Sequence, residues 1–388
     1  MSKFETTDFS PASLRALCSD YSKFSKITEV SECPDWILYE GRLRHSKADY
    51  FSIGLFRAKS GENLFLLEQT ETALVVLLTT AILGRTYILL SLRTEPGLIG
   101  LTNLSTTIQS TPSNYLRRHG GKATPFIEIA AEPSRHGKVL YDGKHHDWGN
   151  YYLNKTKRFL VIHVENPPDA PSGYCWVELE VARSLLAEDN LITNDLRVCL
   201  PLVLNHQTAV PGRLFENAPT NDVTHLGESG FLPDAVDSRG AKVSFYRTET
   251  QTREVASWIQ PLLVPREAMK LELGFCEENG SRLFAITRGT QPGLLGCHLW
   301  FPAEVKGGHV AQKVSTSAEG GRFWKFEIQI TLRHVESRSA AIPSQESPAW
   351  VTEAELAALV AQPLQTSLEL RMAWSLAIAR LTGLKPNA

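Results

Sequence analysis

From residue 36 the chain alternates short apolar runs with turn residues. Runs such as WILYEGRLRH, DYFSIGLFR, LFLLEQ and RFLVIHVE carry β-branched and aromatic residues between Gly, Asn and Ser, which predicts strands joined by turns. The most hydrophobic stretch, LVVLLTTAILGRTYILLSL at residues 74–92, is interrupted by Gly84 and Arg85. A lipid-spanning helix would need about 20 apolar residues without a central charge, so two buried strands and a tight turn are expected instead. Ser10-Pro11, a cap followed by proline at the first helical position, predicts a helix through ASLRALCSDYSKF. WVELEVARSLLAEDNLITNDLRVCLPLVL is apolar at helical spacing, and residues 205–240, bearing Pro, Asn and Gly, read as linker and surface loops.

The order then repeats. TEPGLIG at residues 94–100 returns as TQPGLLG at 290–296, His163-Val164-Glu165 as His334-Val335-Glu336, Trp176-Val177 as Trp350-Val351, and Leu196-Arg197 as Leu370-Arg371. Ordered landmarks of this kind predict an internal repeat and an α+β fold in two units. The expected division is an N-terminal helical arm over 1–34, a first repeat over 35–205, a linker over 206–240 and a second repeat over 241–388. From Gly97 to His163 is 66 residues and from Gly293 to His334 is 41, so the second copy lacks 25 residues there. What it lacks is the polar stretch STTIQSTPSNYLRR, and a segment kept in one copy only is free of the scaffold's demands.

Composition narrows the field. At 388 residues, with 43% hydrophobic and 21% charged, the chain suits two globular domains. A formal charge of −2 gives no field that would draw nucleic acid or an anionic membrane. The six cysteines have no CxxC spacing, which disfavours a disulfide framework and a zinc site. MSKFETTDFS has no apolar core, so no signal peptide and a cytoplasmic location are expected. His145-His146-Asp147 has metal-site composition, but adjacent histidines on an extended chain point oppositely, and Gly143, Gly149 and Asn150 predict a surface turn.

In the single-copy segment, Thr111-Pro112 predicts a helix start and Gly120-Gly121 its end, giving a two-turn helix over residues 112–119. On it Tyr115 shares a face with Arg118 and His119, and Asn114 lines up with Arg117 and Arg118. Its free N–H groups would point towards Gln109 and Thr111, as in a phosphate or carboxylate site, with Lys122 adding charge. The same residues also suit a plain solvated basic face.

The string EPG, then S-x-T-x-Q-x-T-x-x-N-Y, resembles the sugar-nucleotide 2,3-dehydratases, which act on dTDP-4-keto-6-deoxyhexoses in deoxysugar biosynthesis, including that of antibiotics. RFLVIHVE, REVASWIQPLLVP and EGGRFW are similar to that family's blocks too, so the resemblance covers most of the chain. One departure is LFLLEQT at residues 64–70, where the second repeat has the WIQP block. The resemblance implies two tandem Nudix-like α/β/α domains, a homodimer, no metal, no cofactor, and a working pocket in the first repeat with a relic in the second. It also implies a downstream 3-ketoreductase that consumes the product. The reaction would remove the proton on sugar carbon 3, acidified by the carbon 4 ketone, and expel the carbon 2 hydroxyl. In this scheme Tyr115 or His119 is the base and Glu95 the acid; Gln109, Thr111 and Asn114 hold hydroxyls or the enolate oxygen, and Arg117 the pyrophosphate. Arg93, Arg118 and Lys122 are further substrate contacts, and Trp258 is a base-stacking candidate. The alternatives are a non-catalytic sugar-nucleotide binding protein and a Nudix-type pyrophosphohydrolase; no Nudix box is present for the latter.

Overall fold

The computed structural model describes residues 8–48, 50–118, 121–204, 223–227, 235–253, 255–342 and 347–380, and the fold is mixed α+β. The expected hairpin forms from strands Ala73–Ile82 and Arg85–Thr94, turning through Leu83 and Gly84 with φ of 50° and 76°. Both turn residues are left-handed, the geometry that matches the twist of a two-residue hairpin. The N-terminal helix Pro11–Ser22 starts in a capping box made by Ser10 and Ser13, and buries Leu14 and Cys18, one turn apart on one face.

The front sheet runs in the order Gly137–His146, Thr156–Val164, Ala73–Ile82, Arg85–Thr94, Tyr174–Glu178, with Thr102–Ser105 also on Arg85–Thr94. The rear sheet runs His309–Ser317, Glu327–His334, Met269–Glu278, Ser281–Gly289, with Leu299–Pro302 and Ala349–Thr352 both on Ser281–Gly289. Apart from Ile108–Ser110, which pairs with Ala73–Ile82 in the front sheet alone, order and pairing sense agree, down to one parallel pair and one register shift in each. The residues the rear half lacks fall between Thr102–Ser105 and Gly137.

Each half lends a turn to the other. The Lys325 N–H donates to Gly97 O at 2.8 Å, and the Asn154 N–H to Gly293 O at 2.6 Å. A Cβ on Gly97, where φ is 94°, would stand 1.7 Å from Phe323 O; on Gly293 it would stand 1.9 Å from Tyr152 O. Only glycine fits either crossing. One hydrophobic core passes through the seam, from Leu14, Val75 and Leu196 to Phe323, Leu370 and Trp374, and the helices Asn194–Leu204 and Leu368–Arg380 pack together within it. Each such side chain contributes about 1.5–3 kcal/mol when fully buried, so separating the halves would expose a large part of what stabilises both.

Several expectations need correction. Residues 176–204 are not one helix: Tyr174–Glu178 is a strand, followed by the helix Leu179–Ser184, a 3-10 turn and Asn194–Leu204. Within 205–240, Val223–His225 pairs with Ser52–Ala58, while 205–222 and 228–234 lie outside the described residues. LSTTIQ is not one strand, because Thr102–Ser105 and Ile108–Ser110 pair with different partners. His145, His146 and Asp147 do not form a surface turn. They are buried at the end of Gly137–His146, where the Tyr141 hydroxyl meets His145 Nε2 at 2.5 Å and Asp147 faces two lysines.

Candidate active site

A cavity of about 390 Å³ opens at the seam, a volume within the range of small-ligand pockets. Its front wall begins where strand Arg85–Thr94 leaves the sheet and delivers Arg93 and Glu95. Arg93 donates to Gln109 O at 2.8 Å and to Glu95 Oε1 at 2.5 Å. Arg253, from the rear half, reaches the same Glu95 oxygen at 3.3 Å and Thr94 O at 3.1 Å. Glu95 is buried and thus tied to both halves, and Gly320 permits it: a Cβ there would meet Glu95 Cβ at 2.4 Å.

The single-copy segment supplies a second wall through Gln109, Thr111, Asn114 and Arg117. Gln109 Oε1 accepts from the Ser105 hydroxyl at 3.0 Å, and Arg117 Nε donates to Gly121 O at 3.0 Å. Here the structure corrects the predicted helix, which spans only Pro112–Tyr115. Arg117 takes φ of 56° and ends helical facing. The helix start is also filled from within: Glu71 Oε2 accepts from the Ser113 N–H at 3.3 Å and the Ser113 hydroxyl at 2.7 Å. No anion site exists at that terminus.

The third wall is aromatic. Trp36 packs against Phe51 at 4.8 Å between centroids and edge-on to His45 at 5.7 Å, and Tyr50 meets His45 at 5.0 Å. Opposite, Trp258 donates to Gln260 Oε1 at 2.7 Å, and Gln260 donates to Gly321 O at 2.6 Å. The Arg322 guanidinium lies 4.0 Å over the Phe51 ring and donates to Gly321 O and Gln69 Oε1. Arg93 Nε and Arg322 Nε are buried and make no hydrogen bond.

The floor joins the halves by charge. Glu319 Oε2 accepts from the Tyr152 hydroxyl at 2.8 Å and lies 3.4 Å from both Lys155 and Lys157. Lys157 is bound further by Asp195 at 2.9 Å and Asp147 at 3.2 Å. Burial pushes the Glu319 carboxyl up, but Lys155, Lys157, Arg322 and the Tyr152 hydroxyl outweigh it and hold it well below the usual range. For Lys155 burial wins over Glu319 and Asp147, and its pKa is lowered.

Of the residues singled out in the sequence, Arg93, Glu95, Gln109, Thr111, Asn114, Arg117 and Trp258 line this cavity. Tyr115, Arg118 and Lys122 do not. Tyr115 is half-buried beside Arg158, whose charge it affects, and Arg118 lies 3.8 Å from Glu71. His119 lies outside the described residues. The sequence alone assigns no role to Lys155, Arg253, Glu319 and Arg322, although EGGRFW and REVASW stand out in it as blocks. Among the described residues no group of three His, Cys, Asp or Glu side chains is placed to hold a metal, and no helix is long and apolar enough to cross a membrane.

Fold and site define an α+β protein with a polar, arginine-rich, small-molecule cavity. Comparison with known proteins makes this more specific: the family described as NDP-hexose 2,3-dehydratase matches residues 19–203. Among curated proteins, the chain is similar to a dTDP-4-dehydro-6-deoxy-alpha-D-glucopyranose 2,3-dehydratase of Saccharopolyspora spinosa, 27% identical over 54% of this chain and 51% of the relative. The enzymes of that name from Streptomyces violaceoruber and Amycolatopsis orientalis are 29% and 26% identical, over 58% and 51% of this chain and 59% and 46% of theirs. The chain thus spans about half the length of the curated relatives it matches.

Proposed function

We propose that this chain is an NDP-4-keto-6-deoxyhexose 2,3-dehydratase, a hydro-lyase that takes a dTDP-linked sugar. The observation that carries this is the seam cavity, where Glu95 is held between Arg93 and Arg253 beside the wall formed by Gln109, Thr111, Asn114 and Arg117. Cationic forks suit a diphosphate, amide and hydroxyl groups suit a sugar, and the aromatic wall with Trp258 suits a nucleobase. The base removes the proton on carbon 3, an enolate forms through the carbon 4 ketone, and the carbon 2 hydroxyl leaves as water with Glu95 as its proton donor. The enol produced rearranges to a 3,4-diketo sugar, a reactive product that a 3-ketoreductase would consume. For the base we keep His119 of the pair named from the sequence. Tyr115 does not line the cavity, and His119 itself lies outside the described residues.

The matched strand orders support descent of the two halves from one duplicated, Nudix-like unit, with boundaries near 35–205 and 241–388. At the places in the front half that correspond to Glu319 and Arg322 stand Trp148 and Tyr151, both buried, with Arg239 stacked on Tyr151 at 4.3 Å. That supports a filled second pocket and one working site. A homodimer in the cytoplasm completes the proposal, and sedimentation at micromolar concentration checks the dimer. Incubating the protein with dTDP-4-keto-6-deoxyglucose and following the sugar by mass spectrometry tests the reaction: loss of one water is expected, and unaltered substrate would reject it.

A further inference from the structure

We propose that Lys155 is a catalytic residue that binds the carbon 4 oxygen of the sugar as it becomes an enolate, and that Glu319 of the rear half is its positioning residue. The inference rests on the dehydratase reading. When the carbon 3 proton leaves, the C–H electron pair forms the carbon 3–carbon 4 double bond and the carbonyl electrons move onto oxygen. When the carbon 2–oxygen bond breaks, the ketone re-forms and a carbon 2–carbon 3 double bond appears; the removed proton and the expelled hydroxide balance as water. The oxygen is therefore most negative between the two events, and a cation fixed beforehand at that point lowers both barriers.

Lys155 fits that task better than Arg93, Arg253 and Arg322. The Nη groups of Arg93 are spent on Gln109 O and Glu95, those of Arg322 on Gly321 O and Gln69, and Arg253 contacts Glu95 and Thr94 O. Lys157 is held by two aspartates and does not line the cavity. Among the described residues, the Lys155 ammonium makes one hydrogen bond, a long one of 3.4 Å to Glu319, and sits 4.1 Å over the Tyr152 ring. It lines the cavity while its side chain is almost wholly buried, so the N–H groups left over act in a water-poor site where their field is strong. The charged groups facing it are Glu319, Asp147, Lys157 and Arg322, and their balance with burial lowers its pKa.

The experiment compares wild type with Lys155→Met, Lys155→Arg and Glu319→Gln on dTDP-4-keto-6-deoxyglucose in D2O, reading product formation and deuterium at carbon 3 of the recovered substrate. Lys155→Met is expected to lower both together by about 100-fold, the loss typical of one oxyanion donor, with thymidine diphosphate affinity unchanged. Should that variant not fold, the other two decide. Lys155→Arg, whose guanidinium stays charged, is expected to retain turnover and carry the basic limb of the kcat profile to higher pH. Glu319→Gln removes a carboxylate that raises the Lys155 pKa, and the limb should move to lower pH. Wild-type rates in Lys155→Met, or a basic limb that stays in place in both other variants, would overturn the proposal. Wild-type protein without turnover would remove the dehydratase reading and this inference with it, whereas turnover with insensitive variants removes the inference alone.

Discussion

Tyr115 shows how far residue types lead and where they stop. It lies in the right segment, but the helix that carries it has one turn, and the left-handed Arg117 turns the chain in a new direction. The side chain comes to lie by Arg158, off the cavity wall. Tyr115→Phe is accordingly expected to turn over substrate at close to the wild-type rate in a steady-state assay. A loss of 100-fold or more, the scale of a missing acid–base group, would instead bring the phenol back into the chemistry. Gln109 and Asn114 are legible because they belong to a single-copy segment set between turn signals, and Glu95 because it stands in a recurring turn that has Gln291 at the same place later in the chain. Glu71, which fills the helix start from 42 residues away, leaves no local signature, and Glu319, which completes the floor from the other half, stands in the EGGRFW block without a role that the block itself reveals.

At the scale of elements, the EPG turn decides where the site can be. Strand Arg85–Thr94 and the hairpin before it are dictated by an apolar run with a Gly-Arg break, and the structure has them as expected. The crossing at the end of that strand is not legible, since a turn against its own half and a turn against the other read alike in one sequence. Pro-Gly stands at both crossings, and each glycine admits a backbone oxygen of the opposite half. Gly97→Ala is expected to lower stability by about 1–3 kcal/mol through strain and overpacking, and to weaken turnover because Glu95 moves with the turn. Urea midpoints with unchanged m-values check the first part; an alanine variant as stable as wild type would contradict the close approach. The buried histidines elude the sequence for a related reason, because strand Gly137–His146 carries them under the seam rather than onto a loop.

For the whole molecule, the two halves share one core and one buried charge cluster, so its acid response should be a property of the seam. His146 has a pKa lowered by burial and Arg371 from 6.5 to about 4, and His145 is held well below the ordinary value for the same reasons. In the unfolded chain both take up protons near pH 6.5, while the folded state resists until about 4 for His146. Their share of stability is therefore present above pH 6.5 and lost as pH falls through that window, and the lowered Glu319 acts in the same direction at more acid pH. Urea midpoints should fall between pH 7 and pH 5, and the fall should shrink in His146→Gln; equal slopes would show that the histidine does not carry it.

The central claim to test is that the rear half completes a site that the front half begins. Arg253→Ala removes a contact to Glu95 contributed from beyond residues 19–203, and its turnover of dTDP-4-keto-6-deoxyglucose is the most direct measurement. A fall of about 100-fold at unchanged melting temperature is expected if the guanidinium orients Glu95 and the diphosphate. Turnover equal to wild type would place the chemistry within the front half alone and contradict the shared site.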